Sequence, residues 1–219
     1  MSKNRYKSKI IYFTGLDGSG KSTYTELLAK AMRKQGLPIK VVWLRMSHYL
    51  SKPLLLFCRL VGLTEYENIG GIRVGYHHFY RSKIVSWLYI FLRSIDTSID
   101  AVTRVYLPAK IFGKTVICDR YVLDSMIDLM VDTHINLEKT FIYKWFWMLI
   151  PRRSYIFFVE RDDKYIQNCR PEMNRKDFLL YRKMLYNQVF KNRIIRVNNN
   201  SMIKDTFKEI LAQLNELKA

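Results

Sequence analysis

Eight consecutive residues near the amino terminus, Gly15-Leu16-Asp17-Gly18-Ser19-Gly20-Lys21-Ser22, restrict what this chain can become more than any other feature of it. They fit G-x-x-x-x-G-K-[ST], in which glycines let the backbone fold back and aim several N–H groups at phosphate oxygens. Lys9 to Phe13 is a β-branched and aromatic run that predicts a strand ending at Gly15. Ser22 to Lys34 carries Leu27, Leu28, Ala31 and Met32 at helical spacing, with Gly36 and Pro38 behind it as stop signals. In average composition a chance match in a chain of this length arises at roughly 1%. Strand, glycine loop and helix in that order supply the context that separates a phosphate cradle from an accidental turn. The helix start adds its positive dipole end. The expectation is ATP held by Gly15, Asp17, Gly18, Ser19, Gly20, Lys21, Ser22 and Thr23. Lys21 would serve the β- and γ-phosphates and the Ser22 hydroxyl would ligate Mg²⁺.

Further strands are predicted at Ile39 to Leu44, which reads as buried, and at Thr115 to Cys118, Tyr155 to Val159 and Ile194 to Val197. Helical stretches lie at Phe79 to Tyr106, 137–149 and 177–190, with a last helix from about Ser201 bearing Ile203, Phe207, Ile210, Leu211 and Leu214. This alternation predicts an α/β fold, a P-loop three-layer sandwich with a five-stranded parallel sheet covered by helices on both faces. At 219 residues, with no linker, repeat or low-complexity stretch, the expectation is one domain over 1–219.

Thr115-Val116-Ile117-Cys118 delivers Asp119-Arg120-Tyr121 to the carboxyl end of its strand, the ligand-binding edge of a parallel sheet. A carboxylate there can hold Mg²⁺, and the neighbouring Arg120 can neutralise charge on a transferring phosphoryl group. Arg45, just past the second strand, falls on the same edge. Arg170, Arg175 and Lys176 surround Pro171 and Asn174 in a basic, turn-rich stretch, approximately 168–178, that reads as a small lid over the phosphates.

Charge narrows the partners without choosing one. Thirty-seven Lys+Arg against 19 Asp+Glu give +18, a surface suited to nucleotides, nucleic acid or an anionic membrane. The apolar runs Ile84 to Leu92 and Phe141 to Ile150 fall well short of the ~20 residues of a spanning helix. Trp145-Phe146-Trp147 reads as a buried helix face, so no membrane partner is expected. No nucleic-acid-binding motif is present, which argues against nucleic acid. Cys58, Cys118 and Cys169 form neither a disulfide framework nor a metal spacing, and His48, His77, His78 and His134 add no ligand set. With no export signal read at the amino terminus, a reducing, cytoplasmic setting is expected.

These residues together resemble the nucleoside monophosphate kinases, most closely the thymidylate kinase family, over nearly the whole chain. Ile11 to Thr23 resembles the family's loop, in which the carboxylate at the Asp17 position approaches the sugar 3′-hydroxyl of the acceptor. Trp43-Leu44-Arg45 is similar to the segment whose Arg grips the acceptor phosphate, and Asp119-Arg120-Tyr121 matches the family's "DRY" signature. Arg170 to Tyr186 resembles the lid and its following helix, and Asn198 to Ser201, including Asn199, the loop against the donor adenine. The resemblance implies Lys21, Arg120 and a lid arginine, Arg170 or Arg175, as catalytic cations. It implies Asp17, Arg45, Asp119 and Arg120 around the acceptor, Ser22 and Asp119 around Mg²⁺, and a homodimer paired through helices. Tyr89 and Arg93 have the i, i+4 spacing of the residues that stack and bind the acceptor base, a spacing His77 and Arg81 share. Asp128 stands where the family continues to an aromatic residue that helps exclude ribonucleotides, and Asp124 is a second departure.

The leading expectation is an ATP- and Mg²⁺-dependent kinase forming dTDP from dTMP. One alternative keeps the chemistry and changes the acceptor to another pyrimidine monophosphate or a nucleic-acid 5′ end. Another is a nucleotide-binding switch without turnover.

Overall fold

The structure, a computed structural model, describes residues 10–44, 47–69, 71–170, 176–189 and 194–216. The chain runs through β1 (Ile10–Thr14), α1 (Lys21–Lys34), β2 (Ile39–Trp43) and α2 (Lys52–Leu60) to a hairpin, β3 (Thr64–Ile69) and β4 (Ile72–His77). A short 3₁₀ turn (Phe79–Arg81) leads into α3 (Lys83–Asp100), a π-helical segment (Ala101–Tyr106) and α4 (Leu107–Lys110). Next come β5 (Thr115–Asp119), α5 (Val122–Thr133), a 3₁₀ turn (Leu137–Lys139), α6 (Phe141–Met148) and β6 (Ser154–Glu160). The chain then passes through α7 (Asp163–Cys169), α8 (Lys176–Val189), β7 (Ile194–Asn198) and α9 (Ile203–Glu216).

The five predicted strands form one parallel sheet in the order β2-β5-β1-β6-β7. All five residues of β1 are buried, as a central parallel strand covered on both faces requires. Side chains alternate across the sheet, so each strand serves two cores. Ile11, Phe13, Ile117, Phe157 and Val197 face α1 and α9, where Tyr24, Leu28, Ile210 and Leu214 close over them. Ile10, Tyr12, Val116, Cys118 and Phe158 face the other way, into a larger core built with α3, α5, α6 and α8. Phe146 is fully buried there, with Trp145 and Trp147 partly covered, so the aromatic run of α6 is a core face as expected.

Several features differ from the sequence reading. β2 is an edge strand, with Val41 39% and Trp43 55% exposed, because its apolar run has sheet on one side only. The helix expected from Phe79 starts at Lys83, where the Ser82 hydroxyl accepts from the Val85 N–H as an N-cap. It then continues past Tyr106 through the π segment to Lys110. The β3–β4 hairpin was not anticipated; its signal is the Gly70-Gly71 pair, and Gly71 sits at φ +81°. Among the described residues no helix is long and apolar enough to cross a membrane.

Register fixes where the chemistry lies. Phe13 pairs with Asp119 and with Phe157, so the loops after β1, β5 and β6 leave the sheet at one edge.

Candidate active site

The chain turns at Gly15 with φ +137°, and a Cβ there would stand 2.5 Å from the Val159 carbonyl, so the loop enters under β6 only without a side chain. Gly20, at φ +101°, is the residue before α1, and a Cβ on it would strike the Asn199 amide. That amide is 6% exposed; its Nδ2 donates to the Ser19 carbonyl at 2.7 Å and its Oδ1 accepts from the Tyr24 hydroxyl. Asn199, expected against adenine, therefore braces the loop from behind. Lys21 is 4% exposed, with its Nζ donating to the Leu16 carbonyl and lying 3.4 Å from Ser19 Oγ. Ser22 and Thr23 are exposed at the start of α1.

Asp119 ends β5 and accepts from the Ser22 hydroxyl, Oγ to Oδ2 at 2.5 Å. Burial pushes its carboxyl above the usual range, while Ser22 and the Lys21 cation oppose the shift. Two hard oxygens this close, one a carboxylate whose charge burial disfavours, suit Mg²⁺, which takes one or two protein oxygens and fills its shell from phosphates and water. Among the described residues no group of three or more His, Cys, Asp or Glu forms a metal cage.

Arg120 follows with φ 67°, unusual for a bulky residue, and its N–H donates to the Phe13 carbonyl at 3.0 Å. That conformation turns the side chain back over the loop. One guanidinium nitrogen pairs with Asp17 of the glycine loop and the other with Asp124 of α5 at 3.1 Å. Asp124 is 1% exposed and also accepts the Tyr121 N–H at 3.2 Å, capping α5. Tyr186 of α8 brings its hydroxyl to 3.0 Å from Asp124 and 3.1 Å from the Gly15 carbonyl. Arg170, at the end of α7, lies against Gly18, whose added Cβ would be 3.3 Å from its Cγ.

A second group lines the space between the end of β2, α3 and the start of α5. A pocket there is bounded by Leu44, Arg93, Thr97, Asp100, Tyr121, Val122 and Ser125. Arg93 is 6% exposed and donates to the Ser47 carbonyl. Tyr89, one turn earlier, is buried with its ring edge-on to Phe79 at 4.6 Å, so it packs in the core and presents no open face. The other pair with that spacing sits at the hairpin root, His77 stacked on Phe79 at 4.9 Å and Arg81 beside Glu65 at 4.0 Å. Asp128 of α5 is ion-paired with Arg182 of α8 at 2.8 Å. Arg45 and Arg175 lie outside the described residues.

The sequence reading missed Asp96. It is fully buried and accepts from the backbone N–H of Tyr49, Leu50 and Ser51 at 3.2, 2.8 and 3.1 Å and from Ser51 Oγ at 2.6 Å, pinning that loop to α3. Its signal is two carboxylates, Asp96 and Asp100, spaced i, i+4 in a helix with no other acidic residue. His48 stands in the pinned loop, with Nδ1 2.8 Å from Ser51 Oγ. Burial first, then the nearby Arg93, lowers its pKa to about 4; Asp96 opposes the shift and His77 adds to it.

Comparison with known proteins adds one relative. No protein-family model matches the chain. Over 127 residues it is 30% identical to a protein named thymidylate kinase from Pelotomaculum thermopropionicum, a match covering 55% of this chain and 47% of that protein. The chain thus spans about half the length of the curated relative it matches.

Two outcomes follow from this geometry. Gly20→Ala lowers stability by about 1–3 kcal/mol through its φ, and pairing it with Asn199→Ala relieves the clash but not that strain; chemical denaturation with and without ATP reads both. For His48 the unfolded chain binds a proton below about 6.5 whereas the folded protein waits until about 4, so stability present above pH 6.5 is lost as pH falls between those values. His48→Gln flattens that part of a plot of Tm against pH.

Proposed function

We propose that this chain is a P-loop kinase that transfers the γ-phosphoryl group of ATP to a nucleoside monophosphate, with dTMP as the acceptor giving dTDP. The observation that carries the reading is the convergence of Lys21, Ser22, Asp119 and Arg120 at one edge of a parallel sheet, two of them cations buried with their charge aimed at the loop. The similarity to a thymidylate kinase supports the acceptor.

In this reading the glycine loop wraps the donor phosphates with backbone N–H groups, and Lys21 exchanges the Leu16 carbonyl for phosphate oxygens. Ser22 and Asp119 would hold Mg²⁺, which supplies charge neutralisation on the donor phosphates. Arg120 reaches the acceptor phosphate and the group in flight, and Arg170 beside Gly18 with Arg175 serves from the lid over 168–178, closing a single domain. Arg45 and Arg93 flank the acceptor, and Asp17 reaches its sugar once it parts from Arg120. The attacking oxygen belongs to a phosphate already ionised at pH 7, so positioning and electrostatics replace a strong general base.

For the quaternary state we propose a homodimer through α3. Ile84, Trp87, Leu88 and Phe91 repeat at i, i+3, i+4 and i+7 and are 82, 44, 44 and 48% exposed, an apolar stripe on the outer face of a helix.

ADP formation from ATP and Mg²⁺, with dTMP, dUMP, UMP, CMP, AMP and GMP offered singly, tests the reaction. The expected result is turnover fastest with dTMP, and Lys21→Ala lowers it by at least about a hundredfold. ATP binding without transfer to any monophosphate would replace the kinase with a nucleotide-binding switch. For the pairing face, Trp87→Glu is expected to convert a dimer to a monomer in analytical ultracentrifugation; a wild-type monomer removes that proposal.

A further inference from the structure

Asp124 and Asp128 lie one helical turn apart on α5, and their partners Tyr186 and Arg182 lie one turn apart on α8 in the opposite order. Two antiparallel helices are thereby joined by two polar rungs, 3.0 Å at Asp124–Tyr186 and 2.8 Å at Asp128–Arg182. Both partners belong to α8 and both carboxylates to α5, so these rungs fix one helix against the other.

The rung at Asp124 does more than join helices. Asp124 and Tyr186 are each 1% exposed, and a carboxylate so enclosed is tolerated only with its oxygens filled by donors. The donors are the Arg120 guanidinium, the Tyr121 N–H and the Tyr186 hydroxyl. That same hydroxyl lies 3.1 Å from the Gly15 carbonyl, so one group on α8 touches both the holder of Arg120 and the start of the glycine loop. Arg120 itself is at φ 67°, a backbone state that persists only where its surroundings over-determine it. Its two carboxylate partners are unequal. The Asp17 side chain is 16% exposed on a loop, whereas that of Asp124 is 1% exposed on a helix. A phosphate arriving from solvent competes with Asp17 and leaves Asp124 in place.

We infer that Asp124 is the positioning residue for Arg120, and that Tyr186 makes this positioning depend on the docking of α8. The inference rests on the kinase reading and deepens it, since it names how the packing of α8 governs the reacting site. Asp17 is then the exchangeable partner of the arginine and Asp124 the permanent one.

The test uses the full chain, with initial rates in ATP, Mg²⁺ and whichever monophosphate the wild type turns over fastest, and ATP affinity measured separately by calorimetry. Asp124→Asn is expected to lower kcat by about a hundredfold while ATP affinity stays within about twofold, because the loop that binds ATP is untouched. Tyr186→Phe is expected to lower kcat by about tenfold, and the double variant to be no slower than Asp124→Asn alone. An active wild type whose Asp124→Asn variant keeps its kcat overturns the inference, as do losses that multiply in the double variant. So does an ATP affinity that falls in step with kcat, the mark of a fold anchor. Should Asp124→Asn fail to fold, Tyr186→Phe decides alone, and an unchanged kcat there refutes the coupling. A wild type without turnover removes the kinase reading and the inference together, which separates that failure from the others.

Discussion

A guanidinium buried between two carboxylates is the arrangement on which the rest of this site depends. Arg120 is 4% exposed, and a cation that deep is stable only where its charge is matched by groups already in position. Asp17 comes from the loop after the first strand and Asp124 from the helix after the fifth, so the pairing forms only when β1 and β5 lie side by side in register. The cation thus ties the glycine loop to α5, and Tyr186 extends the tie to α8. The atoms that hold this cation in place also hold three elements of the fold together.

Around that centre the sheet edge sorts the remaining groups by function. Backbone donors and Lys21 lie on the side of α1, the Ser22–Asp119 oxygens at the junction with β5, and the pocket of Arg93, Thr97 and Asp100 beyond it. Asp96 keeps the far wall fixed, because its four accepted hydrogen bonds turn the segment after β2 into an extension of α3. Ser22 with Asp119, and Arg120 with Asp17 and Asp124, are joined across different elements, which is how a parallel sheet builds one site from distant stretches of sequence.

How legible this was in the sequence varied with the range of the interaction. The loop, the five strands and Asp119-Arg120 were readable because each is a local pattern: a fixed spacing, a β-branched run, a charge at a strand end. The hairpin was missed because β3 is largely polar, Thr64 being the one buried residue among Thr64–Ile69, although β4 alternates Ile72, Val74 and Tyr76 with Arg73, Gly75 and His77. Asp124 and Asp128 stood out as departures, yet their partners are 62 and 54 residues away in sequence and no spacing rule connects them. Asn199 was placed against the donor base by resemblance; its contacts with Ser19 and Tyr24 exist only once β7 lies beside the loop. Arg45 and Arg175 fall outside the described residues, so their place in the site stays with the proposal.

The edge position of β2 has a consequence for how the chain reaches its native state. Of the described strands it pairs with β5 alone, and it shows Val41 and Trp43 to solvent along a short apolar run. Parallel sheets assemble late because each pairing must wait for a crossover to close. During that wait a strand of this kind is a template for the same strand in another molecule. Lys40, lying within the run, is the one charge that interrupts it. Solubility during folding therefore hangs on a residue with no part in the chemistry.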